Sequence, residues 1–352
     1  MGPGSVRRAG WGPKETEMSD LMATARSLVA QGRGILAADE STATITKRLA
    51  AVGVESSEQT RREYRDLLLG APGVESFLSG VILYDETIRQ RGRDDAFFVE
   101  RLRSIGVHPG IKVDLGTEPL EGSPDETITR GLDGLSSRLV EYRDMGARFA
   151  KWRAVIHIGD GRPTRQALEA NAFVLARYAK ACQEVGLVPI VEPEVLMDGD
   201  HSIETCFDVT ERTLHTVFEA LWQHDVALEG MLLKPNMVIA GKGCAEQAPP
   251  DVVASETLRC LRRTVPAAVP GIVFLSGGQS AAQATHHLSE MNHEAQPWQL
   301  SFSYGRALQD EALRAWAGDD AKVDTARKVF LRRGALTAAA RSGSYDPSEE
   351  AA

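Results

Sequence analysis

Eight short apolar runs recur along the chain, each tens of residues from the next. They occupy residues 34–40 (GILAADE), 80–86 (GVILYDE), 108–114 (HPGIKVD) and 147–153 (ARFAKWR). Four more follow at 187–195 (LVPIVEPEV), 230–238 (GMLLKPNMV), 271–278 (GIVFLSGG) and 298–305 (WQLSFSYG). Runs of this length bounded by turn residues read as buried strands. Amphipathic segments lie between most of them. Residues 56–69 open with Ser56 and Gln59 in the spacing of a reciprocal N-terminal cap. Residues 164–185 carry apolar positions at helical period, and residues 255–265 stop before Pro266. Strands alternating with helices predict parallel pairing through crossovers. Eight such units predict a closed (β/α)8 TIM barrel over residues 20–341, as one domain. The residues before Asp20 predict an N-terminal extension whose helix lies across the barrel. Residues 342–352 (SGSYDPSEEAA) predict a flexible C-terminal tail.

Composition narrows the classes. Of 352 residues, 43% are hydrophobic and 25% charged, enough apolar material for a large core. The formal net charge of -9, with no basic stripe, argues against nucleic acid and against an anionic membrane surface. No run is long enough to span a bilayer. No apolar stretch follows Arg7 and Arg8, so no secretory signal is expected. Cys182, Cys206, Cys244 and Cys260 lack the spacing of a metal or redox pair. A reduced, cytoplasmic protein is the expectation.

The chemistry gathers at the ends of the apolar runs. Lys234 follows Met231, Leu232 and Leu233 and precedes Pro235, which cannot continue a strand ladder. A lysine there is costly unless it is paired or used. Pairing with a carboxylate such as Glu229, or snorkelling to solvent, is one outcome. A neutral amine that attacks carbonyls is the other. The remaining runs favour use. The first ends at Asp39, and later ones carry Lys112 and Asp114, Lys151 and Arg153, and Glu192 and Glu194. Residues two apart on a strand face the same way, so each pair can point into one barrel mouth. In such barrels the carboxyl ends of the strands build the active site.

Two cationic groups suggest a substrate with an anion at each end. The turn from Ser276 and Gly277 through Ser280 opens a helix, where backbone N–H groups bind anions. Ser303, Gly305 and Arg306 repeat the arrangement after the last run. Past Asp39 stand Ser41, Thr44, Lys47 and Arg48. Metal ligands are not expected: His286 and His287 are adjacent on a helix, and the other histidines have no partner in the strand-end set.

Six motifs stand in one order: GILAADEST, KWR, PIVEPE, the lysine signature V-x-L-E-G-x-L-L-K-P-N at 226–236, FLSGGQS and SFSYGRAL. In these the chain resembles the class I (Schiff-base) fructose-bisphosphate aldolases, from about Asp20 to Arg341. The resemblance implies an enzyme without metal or other cofactor. It would cleave fructose 1,6-bisphosphate reversibly to dihydroxyacetone phosphate and glyceraldehyde 3-phosphate. By the same resemblance Lys234 forms the imine, and Glu192 is the general acid and base for its formation. Asp39 takes the proton from the hydroxyl at the breaking bond. Lys151 holds Glu192 and helps keep Lys234 neutral, while Glu194 and Lys112 support these charges. Ser276, Gly277, Ser303, Gly305 and Arg306 would bind the one-phosphate. Ser41, Thr44 and Lys112 would bind the six-phosphate, with Arg48 and Arg153 beside them. The family is commonly homotetrameric.

Two departures stand out. Many animal members end in a tyrosine that assists proton transfer, whereas the last tyrosine here is Tyr345. Thr44 replaces a serine and keeps the hydroxyl. Two other readings remain: another Schiff-base sugar-phosphate aldolase, disfavoured by the two-ended cationic arrangement, and a non-catalytic sugar-phosphate-binding scaffold. A scaffold would usually have lost one of Asp39, Lys151, Glu192 or Lys234, and all four are present.

Overall fold

The computed structural model describes residues 15–351. Its strands are β1 Gly34–Ala38, β2 Leu78–Leu83, β3 His108–Lys112, β4 Thr117–Leu120 and β5 Ser123–Thr129. They continue with β6 Phe149–Ile156, β7 Val188–Val195, β8 Leu232–Leu233, β9 Gly271–Phe274 and β10 Gln299–Tyr304. The first helices are α1 Glu15–Leu28, α2 Thr42–Ala50, α3 Glu58–Leu69, α4 Asp85–Ile88, α5 Phe98–Ser104 and α6 Leu135–Asp144. The rest are α7 Arg165–Glu184, α8 Ile203–Gln223, α9 Pro250–Thr264, α10 Ala281–Met291, α11 Arg306–Trp316 and α12 Val323–Arg341. Eight strands close into a parallel barrel in the order β1-β10-β9-β8-β7-β6-β3-β2. This is the (β/α)8 architecture that the eight apolar runs predict.

The barrel interior is built in layers. Ile35, Ala37, Ile82, Phe149, Val188, Ile190, Leu232 and Val273 form one buried cluster with Leu21, Ala25 and Leu28 of α1. Helix α1 therefore closes the amino-terminal end of the barrel. The extension expected before Asp20 lies mostly at residues 1–14, outside the described residues; α1 starts at Glu15, and the side chains that cover the barrel end come after Asp20. His108 Nε2 and Ser27 Oγ, 2.7 Å apart, tie α1 to β3. Strand side chains alternate, so two residues beyond an inward apolar position is again inward. Counting on from Ala37, Phe149, Ile190 and Leu232 reaches Asp39, Lys151, Glu192 and Lys234. The apolar layer is the floor on which the charged layer stands.

Several local expectations shift. The cap expected at Ser56 and Gln59 lies one residue later. Ser57 Oγ accepts from Thr60 N at 3.1 Å, and Thr60 Oγ1 accepts from Ser57 N at 2.8 Å. A threonine hydroxyl thus does what a glutamine usually does. Helix α9 begins at Pro250, earlier than 255, because proline is at ease in a first helical turn. The run at 230–238 yields a strand of only two residues, and Lys234 stands just past it. Its N–H still donates to Val191 O at 2.8 Å, so the ladder reaches Lys234 and stops at Pro235. The antiparallel hairpin β4–β5 lies outside the barrel sheet and was not anticipated. Its residues are mostly polar and lack a two-residue apolar period.

Most of residues 342–350 are exposed, as their polar composition suggests, but Tyr345 and Glu350 make contacts with the rest of the chain. Tyr345 is buried in the main core cluster, and its hydroxyl donates to Glu350 Oε1 at 2.7 Å. Arg333 pairs with the same carboxylate at 2.5 Å. The polar composition of the segment conceals one aromatic anchor and the partner of a buried cation.

Gly110 of β3 has no room for a side chain, because a Cβ there would lie 2.3 Å from the Phe149 ring. Gly110→Ala is expected to destabilise the fold by about 1–3 kcal/mol through overpacking. Urea unfolding measures this, and an unchanged midpoint would mean that the Phe149 ring shifts without penalty.

Candidate active site

Four ionisable groups meet at the carboxyl ends of β1, β6, β7 and β8. Asp39, Lys151, Glu192 and Lys234 are all buried. Lys151 Nζ lies 2.7 Å from Asp39 Oδ2 and 3.2 Å from Glu192 Oε2. Lys234 Nζ lies 3.1 Å from Glu192 Oε1. Two lysines and two carboxyl groups therefore alternate in one chain of contacts. Lys234 pairs with Glu192 and not with Glu229, which stands in the turn Leu228–Gly230 below the strand.

Strand register sets this arrangement. β3 and β6 align Lys112 with Lys151, and β6 and β7 align Arg153 with Glu192. Arg153 pairs with Glu194, and Lys112 donates to Asp114 O at 2.8 Å. Asn236 then fixes the segment after Lys234. Its Oδ1 accepts from Val195 N at 3.1 Å, and its Nδ2 donates to Thr210 Oγ1 at 3.1 Å.

Burial alone would raise the Asp39 pKa, but Lys151, Lys234 and Lys112 outweigh it and bring it from 3.8 to about 2. Burial likewise opposes ionisation of Glu192, and Lys151, Lys234 and Arg153 reverse that, leaving its pKa lowered. Burial would neutralise Lys151, yet Asp39, Glu192 and Asp114 hold it firmly cationic, with its pKa raised. The site thus contains a fixed ammonium between two carboxylates, one of which also touches Lys234.

The charged layer opens into a cleft with two lobes. One, of about 700 Å³, is walled by Asp39, Ser41, Thr44, Lys112, Lys151 and Arg153. The other, of about 530 Å³, holds Lys234 and Glu192, with Ser276, Gly277, Ser303, Gly305 and Arg306 on its far wall. Asp39, Glu40, Thr44, Lys151 and Arg153 line both, so the lobes are one continuous space. The far wall is made by the turns before α10 and α11. Gly278 has φ +83, and a Cβ there would meet Met197 at 2.6 Å, so this turn needs glycine. Ser303 Oγ is buried with no hydrogen-bond partner among the described residues, so its donor is free for a ligand.

The family model described as fructose-bisphosphate aldolase class-I matches residues 20–352. The chain belongs to the class I fructose-bisphosphate aldolase family. It is 57% identical over 303 residues to a protein of Xanthomonas campestris pv. campestris named "Probable fructose-bisphosphate aldolase class 1", covering 86% of this chain and 91% of that relative. It is 54% identical to the cytosolic fructose-bisphosphate aldolase 6 of Arabidopsis thaliana, over 93% of this chain and 91% of the relative. The fructose-bisphosphate aldolase of Plasmodium falciparum, solved with TRAP and a small-molecule inhibitor, superposes with a TM-score of 0.94. That match has 47% identity and covers 95% of this chain and 97% of the other.

Every residue that the resemblance implies for catalysis or phosphate binding lines this cleft. Arg48 lines the lobe that holds Lys234 and Arg306, where its guanidinium pairs with Glu40 and, at 2.8 Å, with Asp310. Two residues escaped the sequence reading. Glu40 lies inside GILAADEST and borders both lobes, with no pattern to separate it from its neighbour Asp39. Asn236 ends the lysine signature, and its role appears only once Val195 and Thr210 are brought beside it.

The depressed Asp39 pKa makes a pH prediction. Its ionised form stabilises the fold above the ordinary value of 3.8, and that contribution is lost as pH falls toward about 2. The stability advantage of the native chain over Asp39→Asn should shrink by about 1 kcal/mol between pH 5 and pH 3. Urea unfolding of both at the two pH values measures this. A constant difference would mean that the charge of Asp39 does not stabilise the fold.

Proposed function

We propose that Lys234 is the lysine through which this chain forms a Schiff base with its ketose substrate. The chain is a class I fructose-bisphosphate aldolase, a carbon–carbon lyase acting on fructose 1,6-bisphosphate, dihydroxyacetone phosphate and glyceraldehyde 3-phosphate. The observation that carries the residue roles is the contact of Lys234 Nζ with Glu192 Oε1 at 3.1 Å inside a buried, charge-balanced site.

The steps follow from that contact. Lys234 gives a proton to Glu192, and its neutral amine attacks the ketone carbon. A proton moves from the new ammonium nitrogen to the alkoxide to give the carbinolamine, Glu192 then gives its own proton to the carbinolamine hydroxyl, and water leaves as the protonated imine forms. Asp39 accepts the proton from the hydroxyl on the carbon beyond the breaking bond. The bond electrons flow into the imine, the aldehyde departs, and an enamine remains. Lys151 stays cationic and steadies both carboxylates as their charges change. Protonation of the enamine and hydrolysis of the imine release the ketone product and free Lys234. Glu194 holds Arg153 at the wall. The one-phosphate rests among Ser276, Gly277, Ser303, Gly305 and Arg306, and the six-phosphate among Ser41, Thr44 and Lys112, with Arg48 and Arg153 adjacent.

We also infer a cytoplasmic homotetramer. Among the described residues no helix is long and apolar enough to cross a membrane. Trp222 and Phe173, 79% and 49% exposed, stand on α8 and α7 as candidates for a subunit contact. Trp222→Glu should lower the assembly in sedimentation. An unchanged tetramer would exclude that face, and a monomeric native chain would exclude the assembly.

Borohydride reduction in the presence of dihydroxyacetone phosphate should trap an adduct on Lys234, located by peptide mass. An adduct on Lys151 or Lys112 would overturn the assignment. Lys234→Met should abolish cleavage while leaving the fold intact. Arg306→Ala should raise KM more than it lowers kcat, by about tenfold or more, since a charged hydrogen bond contributes about 1.5–3 kcal/mol. Activity that fails in a chelator would argue against the metal-independent route.

A further inference from the structure

Asp39, Glu40 and Ser41 are consecutive, and each serves a different neighbour. Asp39 faces Lys151 in the charged layer. Ser41 caps α2, with its Oγ accepting from Thr44 N at 3.4 Å. Glu40 reaches two arginines, Arg65 buried and Arg48 half-buried at the cleft wall. Its Oε2 lies 2.6 Å from Arg65 NH2, and its Oε1 pairs with Arg48 NH1. Arg48 reaches on to Asp310 Oδ1 at 2.8 Å and Gln309 Oε1 at 3.3 Å. Gln309 in turn donates to Ala37 O at 2.6 Å, which returns the network to β1. Burial would lower the Arg48 pKa, but Glu40 and Asp310 raise it, so the guanidinium stays charged.

Helix α2 needs this clamp. It has nine residues and buries only Ile45 and Leu49. Two apolar anchors allow a short helix to rock, and Ser41 and Thr44 ride on its first turn. Two guanidiniums gripping one carboxylate from α2 and α3 fix that turn against Asp39.

We propose that Glu40 is a positioning residue that sets the six-phosphate end of the cleft, and with it the preference for two-phosphate over one-phosphate ketoses. This rests on the two-ended site described under Proposed function. Glu40 contacts no reacting atom and acts through Arg48, Arg65 and the placement of Ser41 and Thr44.

The test compares steady-state cleavage of fructose 1,6-bisphosphate and fructose 1-phosphate. Glu40→Gln should raise KM for the bisphosphate about tenfold, the scale of a lost charged hydrogen bond. KM for the monophosphate should move less than about twofold, since that substrate lacks the six-phosphate. Arg65→Met leaves the Glu40–Arg48 pair in place and should show the same split, smaller. Thermal unfolding of each variant separates loss of fold from loss of positioning, and if Glu40→Gln does not fold, Arg65→Met decides. An equal rise for both substrates, or no rise in a folded variant, overturns the proposal. In the native chain, equal KM values for the two ketoses would refute the two-ended reading and this proposal with it. Inactivity on both would instead refute the enzyme assignment.

Discussion

The site depends on a single balance of charge. Asp39, Lys151, Glu192 and Lys234 sit where water is scarce, and each alone would be expensive to keep ionised. Together they neutralise one another, and the fold holds them at contact distance. Lys151 is the centre of this arrangement, because it touches both carboxylates. Removing it would leave two buried negative charges face to face. Its firm positive charge also explains why Glu192 and Asp39 rest as carboxylates, ready to accept protons.

Barrel geometry makes this balance reproducible. The four charged side chains come from four strands, and each stands two residues beyond an inward apolar one. Shifting any of these strands by a single residue would turn its charge outward and bring an apolar side chain in. The apolar floor and the charged layer therefore enforce one another's register. Lys234 shows how little strand this requires. β8 is two residues long, yet one further bond to Val191 and the Asn236 bridge to Val195 and Thr210 hold the lysine in line.

Much of this was legible in the sequence, and the reason is periodicity. Eight apolar runs announce eight staves, and charges embedded in them, as in PIVEPE and KWR, announce inward polar positions. What stayed hidden has no period to reveal it. The β4–β5 hairpin is mostly polar, and its few apolar residues, Leu120 and Ile128, set up no alternation. The tail reads as solvated because Tyr345 is one aromatic among small and acidic residues, and the partner of Glu350 is Arg333, a buried cation inside the preceding helix whose pairing no local pattern reveals. Glu40 is hidden by its neighbour: both are carboxylates at a strand end, and only the arginines facing one of them tell the two apart.

Helix α1 carries a consequence for how the chain is made. It leaves the ribosome ahead of every barrel strand, with Leu21, Ala25 and Leu28 on one face. The surface that covers them is assembled from strands as late as Val273, more than two hundred residues downstream. Until then the helix has an apolar stripe and nothing to set it against. The stopper is therefore made before the vessel, and the apolar stripe of α1 stays uncovered while the barrel strands are still being translated.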